Sequence, residues 1–574
     1  MSRREHLARA GTGHSEGTTM TTRNTSYDPA ALQQVFESHF TWASGFERNV
    51  HRYASRTAMT DLPSGRSWTY AELGADAGRL VAGLAAHGIG VGDVVAHQLL
   101  NCPEFAMIYL ATQGLRAVSS PMNYRLAPGE TAFILAQMRP AALVYDSALA
   151  PQIAQAIELA DYRPGLLVAV GEGELLCGAI RFDELLACDA PSFTAAHDSS
   201  VWDETSRLFT SGTTGMPKQV PLTSLNEVLT AHDVIMHFPL DERDRTLNMS
   251  PWFHRGGNYC AGPNTMFYVG GEVVIMPKFD ENAVLDTIEK RQLSYVIGAP
   301  TNLERLADAQ EENPRDLSSL RGIVTMGAPL ERAAALRYQQ VLTPRIANGY
   351  GTTESFWNTF LRPYELPAGA GSAGHSCVDD DVLVVKVLPD RIARPTELAA
   401  KDGQEIGEVI MRTVKAGYAY LDNPSEEAEK FREGWVYPGD LATWDENETV
   451  TIVGRKDDMV ISGGENVHPV QVEEVLGAHE GVAESIVTGL PDDEWGQLVV
   501  AYVRPKPGYF TDHAAAATQL DAFCRASHTL ANYKRPRRYA FVDELPMTAT
   551  GKKQHFVLKQ RAPQDAKDGL FVRP

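Results

Sequence analysis

The densest group of residues able to hold an anion is Thr210-Ser211-Gly212-Thr213-Thr214-Gly215-Met216-Pro217-Lys218. Its two glycines let the backbone approach a ligand closely and turn N–H groups toward it. Thr210, Ser211, Thr213 and Thr214 add neutral hydroxyl donors, and Lys218 adds a fixed positive charge. Such a set suits the oxygens of a β- or γ-phosphate. The spacing is not GxxxxGK[ST], so this is not a P-loop. Taken alone, the same residues also read as a Ser/Thr/Gly surface loop. A second group, Asn348-Gly349-Tyr350-Gly351-Thr352-Thr353-Glu354, joins glycines that allow a tight turn against a flat ring to a carboxylate, a hard oxygen ligand for Mg²⁺. A third, Tyr533-Lys534-Arg535-Pro536-Arg537-Arg538, is basic. Guanidinium forks beside a ring suit a phosphorylated adenine, although a charge run of this kind also serves as a plain solvated face.

Positioning groups so far apart in sequence requires a large scaffold. The chain has 574 residues, 44% apolar and 22% charged, which is ordinary for a globular protein with more than one domain. From about Ala30 to Gly454 helical stretches such as Ala71–His87 alternate with short apolar runs, including Val273–Met276, Tyr295–Gly298 and Gly322–Met326. That alternation predicts an α/β body of parallel sheets covered by helices. Beyond the charged stretch Arg455–Asp458, a plausible hinge with no apolar face to bury, a smaller α+β unit is expected over residues 455–574. Its helices include Val470–Leu476 and Leu520–Cys524, and its strands Ser485–Val487 and Leu498–Val503. Residues 1–29 read as a disordered tail without the apolar core of a secretory signal, and Met20 is an alternative start to Met1. The net charge of −21 argues against a nucleic-acid partner. No apolar run is long enough to span a bilayer. Six scattered cysteines without metal-ligand spacing suggest a reduced, cytoplasmic protein.

From about Trp68 to Phe556, five ordered motifs resemble those of the adenylate-forming superfamily: acyl-CoA synthetases, luciferases and peptide-synthetase adenylation domains. In C-terminal detail the chain is most similar to aryl-CoA ligases of the 4-chlorobenzoate type. The resemblance implies a multi-subdomain N-terminal body, residues 30–454, and a mobile C-terminal domain turning about Asp457. It implies that Thr210–Lys218 cradles ATP phosphates. Gly327, Ala328 and Pro329, with Asn348, Gly349, Tyr350, Gly351 and Thr353, would line the adenine site, and Glu354 would hold Mg²⁺. In Trp435-Val436-Tyr437-Pro438-Gly439-Asp440, Asp440 would grip the ribose hydroxyls, with Arg455 near ribose and phosphate; Pro438 departs from the usual Thr or Ser. Gly463, Gly464 and Glu465 would line the pantetheine tunnel. Lys552, after Gly551, would be the adenylation lysine. His254, in Ser250-Pro251-Trp252-Phe253-His254, would orient the carboxylate. Trp495, Tyr533, Arg535 and Arg537 would contact the nucleotide of coenzyme A.

The expected reaction is ATP- and Mg²⁺-dependent: a carboxylic acid becomes an acyl-adenylate, and coenzyme A then takes the acyl group. Three alternatives stand beside it. The acceptor is a carrier protein; the scaffold only binds nucleotide or acyl groups; or Gln219, where many relatives have Gly, crowds the triphosphate so that the enzyme works mainly on a preformed acyl-adenylate. His254, Gly256, Gly257, Tyr259, Pro300 and Thr301 are acyl-pocket candidates, and their character suggests a bulky hydrophobic or aromatic acid. A homodimer is possible on this reading.

Overall fold

A computed structural model describes residues 29–211, 217–388, 390–462, 465–527, 530–548 and 552–574. Five of the predicted phosphate-loop residues, Gly212, Thr213, Thr214, Gly215 and Met216, lie outside the described residues. So do Gly463 and Gly464 and nearly all of the proposed tail.

Two twisted sheets form the centre of the body. One has seven strands and the other nine, both with parallel interiors where sequence-distant strands are neighbours. Tyr295–Gly298 pairs in parallel with Gly322–Met326, which pairs in parallel with Ile346–Thr352. The first two are short apolar runs buried on both faces, as parallel strands under helices must be. Their C-terminal ends lead directly into Pro300–Thr301, Gly327–Pro329 and Thr352–Glu354, so three site segments emerge along one sheet edge. That is where open α/β sheets present ligand crevices. The seven-stranded sheet ends in an antiparallel pair, Glu204–Ser211 with Pro217–Thr223, the strands on either side of residues 212–216.

A third sheet of the body is antiparallel and has six strands, Asp381–Lys386 through Val450–Arg455. The α/β alternation gave no hint of it. Asp440 opens one of its strands and Arg455 closes the next, and the two residues are direct cross-strand partners. The smaller domain packs the helices Pro469–Gly477, His513–Ala526 and His555–Lys567 on a three-stranded sheet. A separate two-stranded hairpin, Val460–Ser462 with Glu465–Val467, carries the expected tunnel segment. Among the described residues no helix is long and apolar enough to cross a membrane.

Candidate active site

Strand alternation separates two residues that follow the expected phosphate loop. Lys218 and Gln219 are successive residues of one strand and so point to opposite faces. Lys218 is buried, its Nζ paired with Glu426 and placed 5.4 Å from the centre of the Tyr420 ring. The Gln219 amide oxygen instead lies 3.5 Å from Arg207, which is itself held by Glu204. The long amide is therefore directed to the opposite face of the strand from Lys218.

The neighbouring segment supplies acceptors. Tyr350 donates its hydroxyl to Asp440 at 2.7 Å, and Arg455 pairs with the other oxygen of Asp440 at 3.0 Å. Arg455 also donates to the Pro438 carbonyl at 3.1 Å. Glycine is required nearby. A Cβ on Gly351 would lie 1.6 Å from the Phe356 carbonyl oxygen, and one on Gly349 would lie 2.5 Å from the Trp357 ring. Asn348 is buried with its side-chain oxygen unpartnered. Glu354 is buried and accepts from Tyr420. Burial pushes its carboxyl up, but Lys430 and hydrogen bonds from Tyr420 and Thr352 outweigh this and hold it below the usual range. An ionised, protected carboxylate is what a hard divalent cation needs, so Glu354 fits Mg²⁺.

Lys552 reaches this cluster from the smaller domain. It closes a tight turn in which Thr548 and Lys552 exchange hydrogen bonds at 2.8 and 2.9 Å. Its Cε would be 3.6 Å from a Cβ on Gly327, which has a left-handed φ of 89°. Lys552 is exposed to solvent, yet the protein crowded around its ammonium lowers the pKa; Asp440 and Glu354 oppose this shift and Arg455 adds to it. His254 lies against Phe253, ring centres 4.2 Å apart, with Nε2 shielded and unpartnered. Burial, then Lys552 and Arg125, pull its pKa down to about 3. It is a neutral imidazole and a poor general base at neutral pH.

Arg255 was not singled out from sequence. It is buried and donates to the carbonyls of Thr353 at 2.9 Å and Lys415 at 2.7 Å. It thereby ties the His254 turn to the backbone beside Glu354. A lone arginine in His-Arg-Gly-Gly carries no local sign of such a role.

The acyl-pocket candidates divide. His254, Gly256 and Thr301 stay partly open. A Cβ on Gly256 would come 2.7 Å from Met326 Sδ, whereas one on Gly257 would strike the Pro251 carbonyl at 2.0 Å. Gly257 therefore serves backbone packing rather than making room. Tyr259 is fully buried, and its hydroxyl is directed into the core, where it donates to Glu227 at 2.9 Å. Pro300 opens the helix Pro300–Glu312, and its carbonyl accepts from Tyr338 at 3.1 Å.

The residues expected to meet coenzyme A lie elsewhere on the smaller domain. Trp495 and Tyr533 are exposed, as is Glu465. Arg535 is already committed to Asp521 and to Asn532. Burial, and then Arg535, lower the pKa of Arg537. Among the described residues no hydrogen bond or ion pair joins this set to Lys552, Asp440 or Glu354. A cleft of about 530 Å³ beside the site brings together three other cations, Arg125, Lys278 and Arg305, with Pro251, Thr301 and, from the Lys552 turn, Thr548.

Residues 46–420 match the AMP-binding enzyme family, and residues 471–552 match the AMP-binding enzyme C-terminal domain. A feruloyl-CoA synthase from Amycolatopsis sp is 33% identical over 493 residues, covering 85% of this chain and 92% of that protein. An anthranilate CoA ligase solved with anthranoyl-AMP superposes with a TM-score of 0.83 at 28% identity, covering 92% of this chain and 98% of that one. MatB from Rhodopseudomonas palustris, 26% identical and covering 91% of this chain and 99% of its own, superposes at 0.78 in its ATP-bound structure and 0.69 in its apo structure.

Proposed function

The chain belongs to the AMP-binding enzyme family as an ATP-dependent acyl-CoA synthetase, and from that premise we propose that its acid is bulky and hydrophobic, with aromatic acids foremost. The observation that carries the mechanism is the approach of Lys552 to Gly327 within the charge field of Asp440, Arg455 and Glu354. One cation from the small domain meets the acceptors of the body.

The substrate carboxylate attacks the α-phosphorus of ATP, a P–O bond forms, and the bond to the bridging oxygen of pyrophosphate breaks. Lys552 stabilises the charge developing on the α-phosphoryl oxygens. Asp440 holds the ribose hydroxyls, and Tyr350 orients that carboxylate. Glu354 would hold Mg²⁺, which would supply neutralisation of phosphate charge. His254, neutral, positions the acid by hydrogen bonding rather than by taking a proton. The coenzyme A sulfur then attacks the acyl carbonyl carbon and AMP leaves with the C–O bond. For that step the smaller domain turns near Asp457, withdrawing Lys552 and bringing in the hairpin of Gly463, Gly464 and Glu465.

Coenzyme A is favoured over a carrier protein by the three-cation cleft on an otherwise acidic chain. We place the coenzyme's phosphates on Arg125, Lys278 and Arg305, with Trp495, Tyr533, Arg535 and Arg537 arriving by rotation. The aromatic preference rests on the resemblance to the feruloyl and anthranilate enzymes and on the Phe253–His254 face. Six free cysteines suit the cytoplasm, and a homodimer is testable by sedimentation. The deciding experiment incubates the enzyme with ATP, Mg²⁺, CoA and a panel of hydroxycinnamic, aminobenzoic, arylacetic, fatty and acetic acids. Mass spectrometry should show AMP and thioester rising together, most for an aromatic acid. ATP turnover without thioester would reject the synthetase, and acetate as the preferred acid would reject the substrate class.

A further inference from the structure

The contact between the two domains includes a carboxylate that works against it. Glu331 stands at the N-cap of the body helix Arg332–Val341, just after the adenine-lining segment, and makes no capping bond. Short side chains such as Ser, Thr, Asp and Asn are favoured there because they reach back to the first N–H groups. Glu331 instead extends toward the smaller domain. A Cβ built on Gly477 would lie 3.3 Å from its Oε2. Gly477 is the last residue of the helix Pro469–Gly477, so the carboxylate rests on that helix's negative pole. Among the described residues no hydrogen bond or ion pair reaches it.

The surrounding charges add to the strain. Glu473 and Glu474 lie on the same docked helix, and Glu304 lies on the body helix Pro300–Glu312. The cations that face this cluster are engaged with its other members: Lys553 Nζ is bonded to Glu473 at 2.9 Å, and Arg337, on the same helix as Glu331, pairs with Glu304 at 2.5 Å. Glu473 also accepts from His555 at 2.6 Å. We infer that Glu331 is a repulsive positioning residue: its charge destabilises the docked domain and speeds departure of the Lys552 turn after adenylation. The inference rests on the two-step reading above, in which that turn must leave.

The pH dependence has the same sign. Burial, opposed by Lys553 and reinforced by Glu474, Glu473 and Glu304, raises the Glu331 pKa in the docked state. An acid whose pKa is higher when docked favours docking only in its protonated form. The ionised group therefore pushes the domain away at neutral pH, and the push fades as pH falls through the raised pKa.

Hydrogen exchange of the full-length enzyme without substrates tests this directly. In peptides covering residues 328–335 and 469–477, Glu331→Gln should exchange about two- to fivefold more slowly than wild type, the size of a carboxylate's interaction with a helix end. Glu331→Ala removes the charge without supplying a cap and should slow exchange likewise in the peptide covering residues 469–477. The gap from wild type should narrow as pH is lowered. Under turnover, Glu331→Gln should form acyl-adenylate undiminished and release thioester more slowly, with KM for the acid unchanged. Equal or faster exchange in either variant, in the peptides named for it, would overturn the inference, as would slower adenylation, which marks a latch. Because exchange needs no substrate, failure here is separable from failure of the function reading, which would show as absence of thioester from wild type.

Discussion

Lys552 and Lys553 are adjacent and carry opposite assignments. Lys553 gains Glu473 and Glu331 as neighbours, and its pKa rises despite burial. Lys552 is exposed, yet the protein crowded around its ammonium lowers its pKa more than Asp440 and Glu354 raise it. Only a protonated Lys552 can stabilise the α-phosphoryl charge. The adenylation rate should therefore decline on the alkaline side earlier than an ordinary lysine would dictate, and the loss should deepen as pH rises through the lowered pKa. Lys552→Arg, always charged, should be slower but lack that alkaline limb in a pH profile of pyrophosphate release. Lys552→Ala should lose about 10²–10³-fold in adenylation, as removal of one charge-stabilising donor does elsewhere. It should retain thioester formation from added acyl-adenylate. Equal loss in both half-reactions would remove Lys552 from its assigned step. Sequence motifs pointed to Lys552, Tyr350 and Asp440 one by one. The pairing of Tyr350 with Asp440 arises between sheets ninety residues apart and has no local signature. Arg255 was invisible for the same reason, since its partners are carbonyls of residues 353 and 415.

At the scale of elements, one buried side chain holds four of them together. Glu227, on the helix Ser224–His237, accepts from Tyr109 at 2.7 Å, Gln113 at 2.6 Å, Ser206 at 2.5 Å and Tyr259 at 2.9 Å. It thereby joins the helix Pro103–Leu115, the strand leading into the phosphate loop, and the turn that presents His254. Removing the acceptor leaves four buried donors unpaired, each costing about 1–3 kcal/mol. Glu227→Ala should lower unfolding stability by about 3–5 kcal/mol in denaturant titration, the range for breaking a buried charged network. Tyr259→Phe should cost only about 1 kcal/mol. A Glu227→Ala midpoint near wild type would show that the network carries no stability. Elements with strong local patterns were legible: Tyr295–Gly298 and Gly322–Met326 are strands with the expected bounds. The antiparallel third sheet was not, because Phe431–Arg432 and Trp435–Val436 are two-residue strands and Asp381–Lys386 pairs across a long irregular connection. Such pairing is decided by tertiary packing rather than by periodicity.

Across the whole molecule, charge and domain position act together on the second substrate. A chain of net charge −21 repels a polyphosphate at long range, so any approach by coenzyme A must rely on local cations within about 8 Å, the screening length in physiological salt. Arg125, Lys278 and Arg305 provide them at the mouth of the site, and the Lys552 turn forms part of the same cleft through Thr548. Arg305 also faces Glu281 at 2.5 Å and the Phe279 ring at 4.8 Å, which hold its guanidinium in place before a ligand comes. Because Thr548 travels with Lys552, domain rotation should open this cleft at the moment coenzyme A is required. Replacing Arg125 and Arg305 together by alanine should raise KM for coenzyme A by about tenfold or more, since charge-assisted hydrogen bonds contribute about 1.5–3 kcal/mol each. KM for ATP and the rate of adenylation should not change. Added salt should raise KM for coenzyme A in wild type and do so less in the double variant. A double variant with unaltered KM and salt dependence would move the phosphates off this cleft and onto the basic cluster of the smaller domain alone.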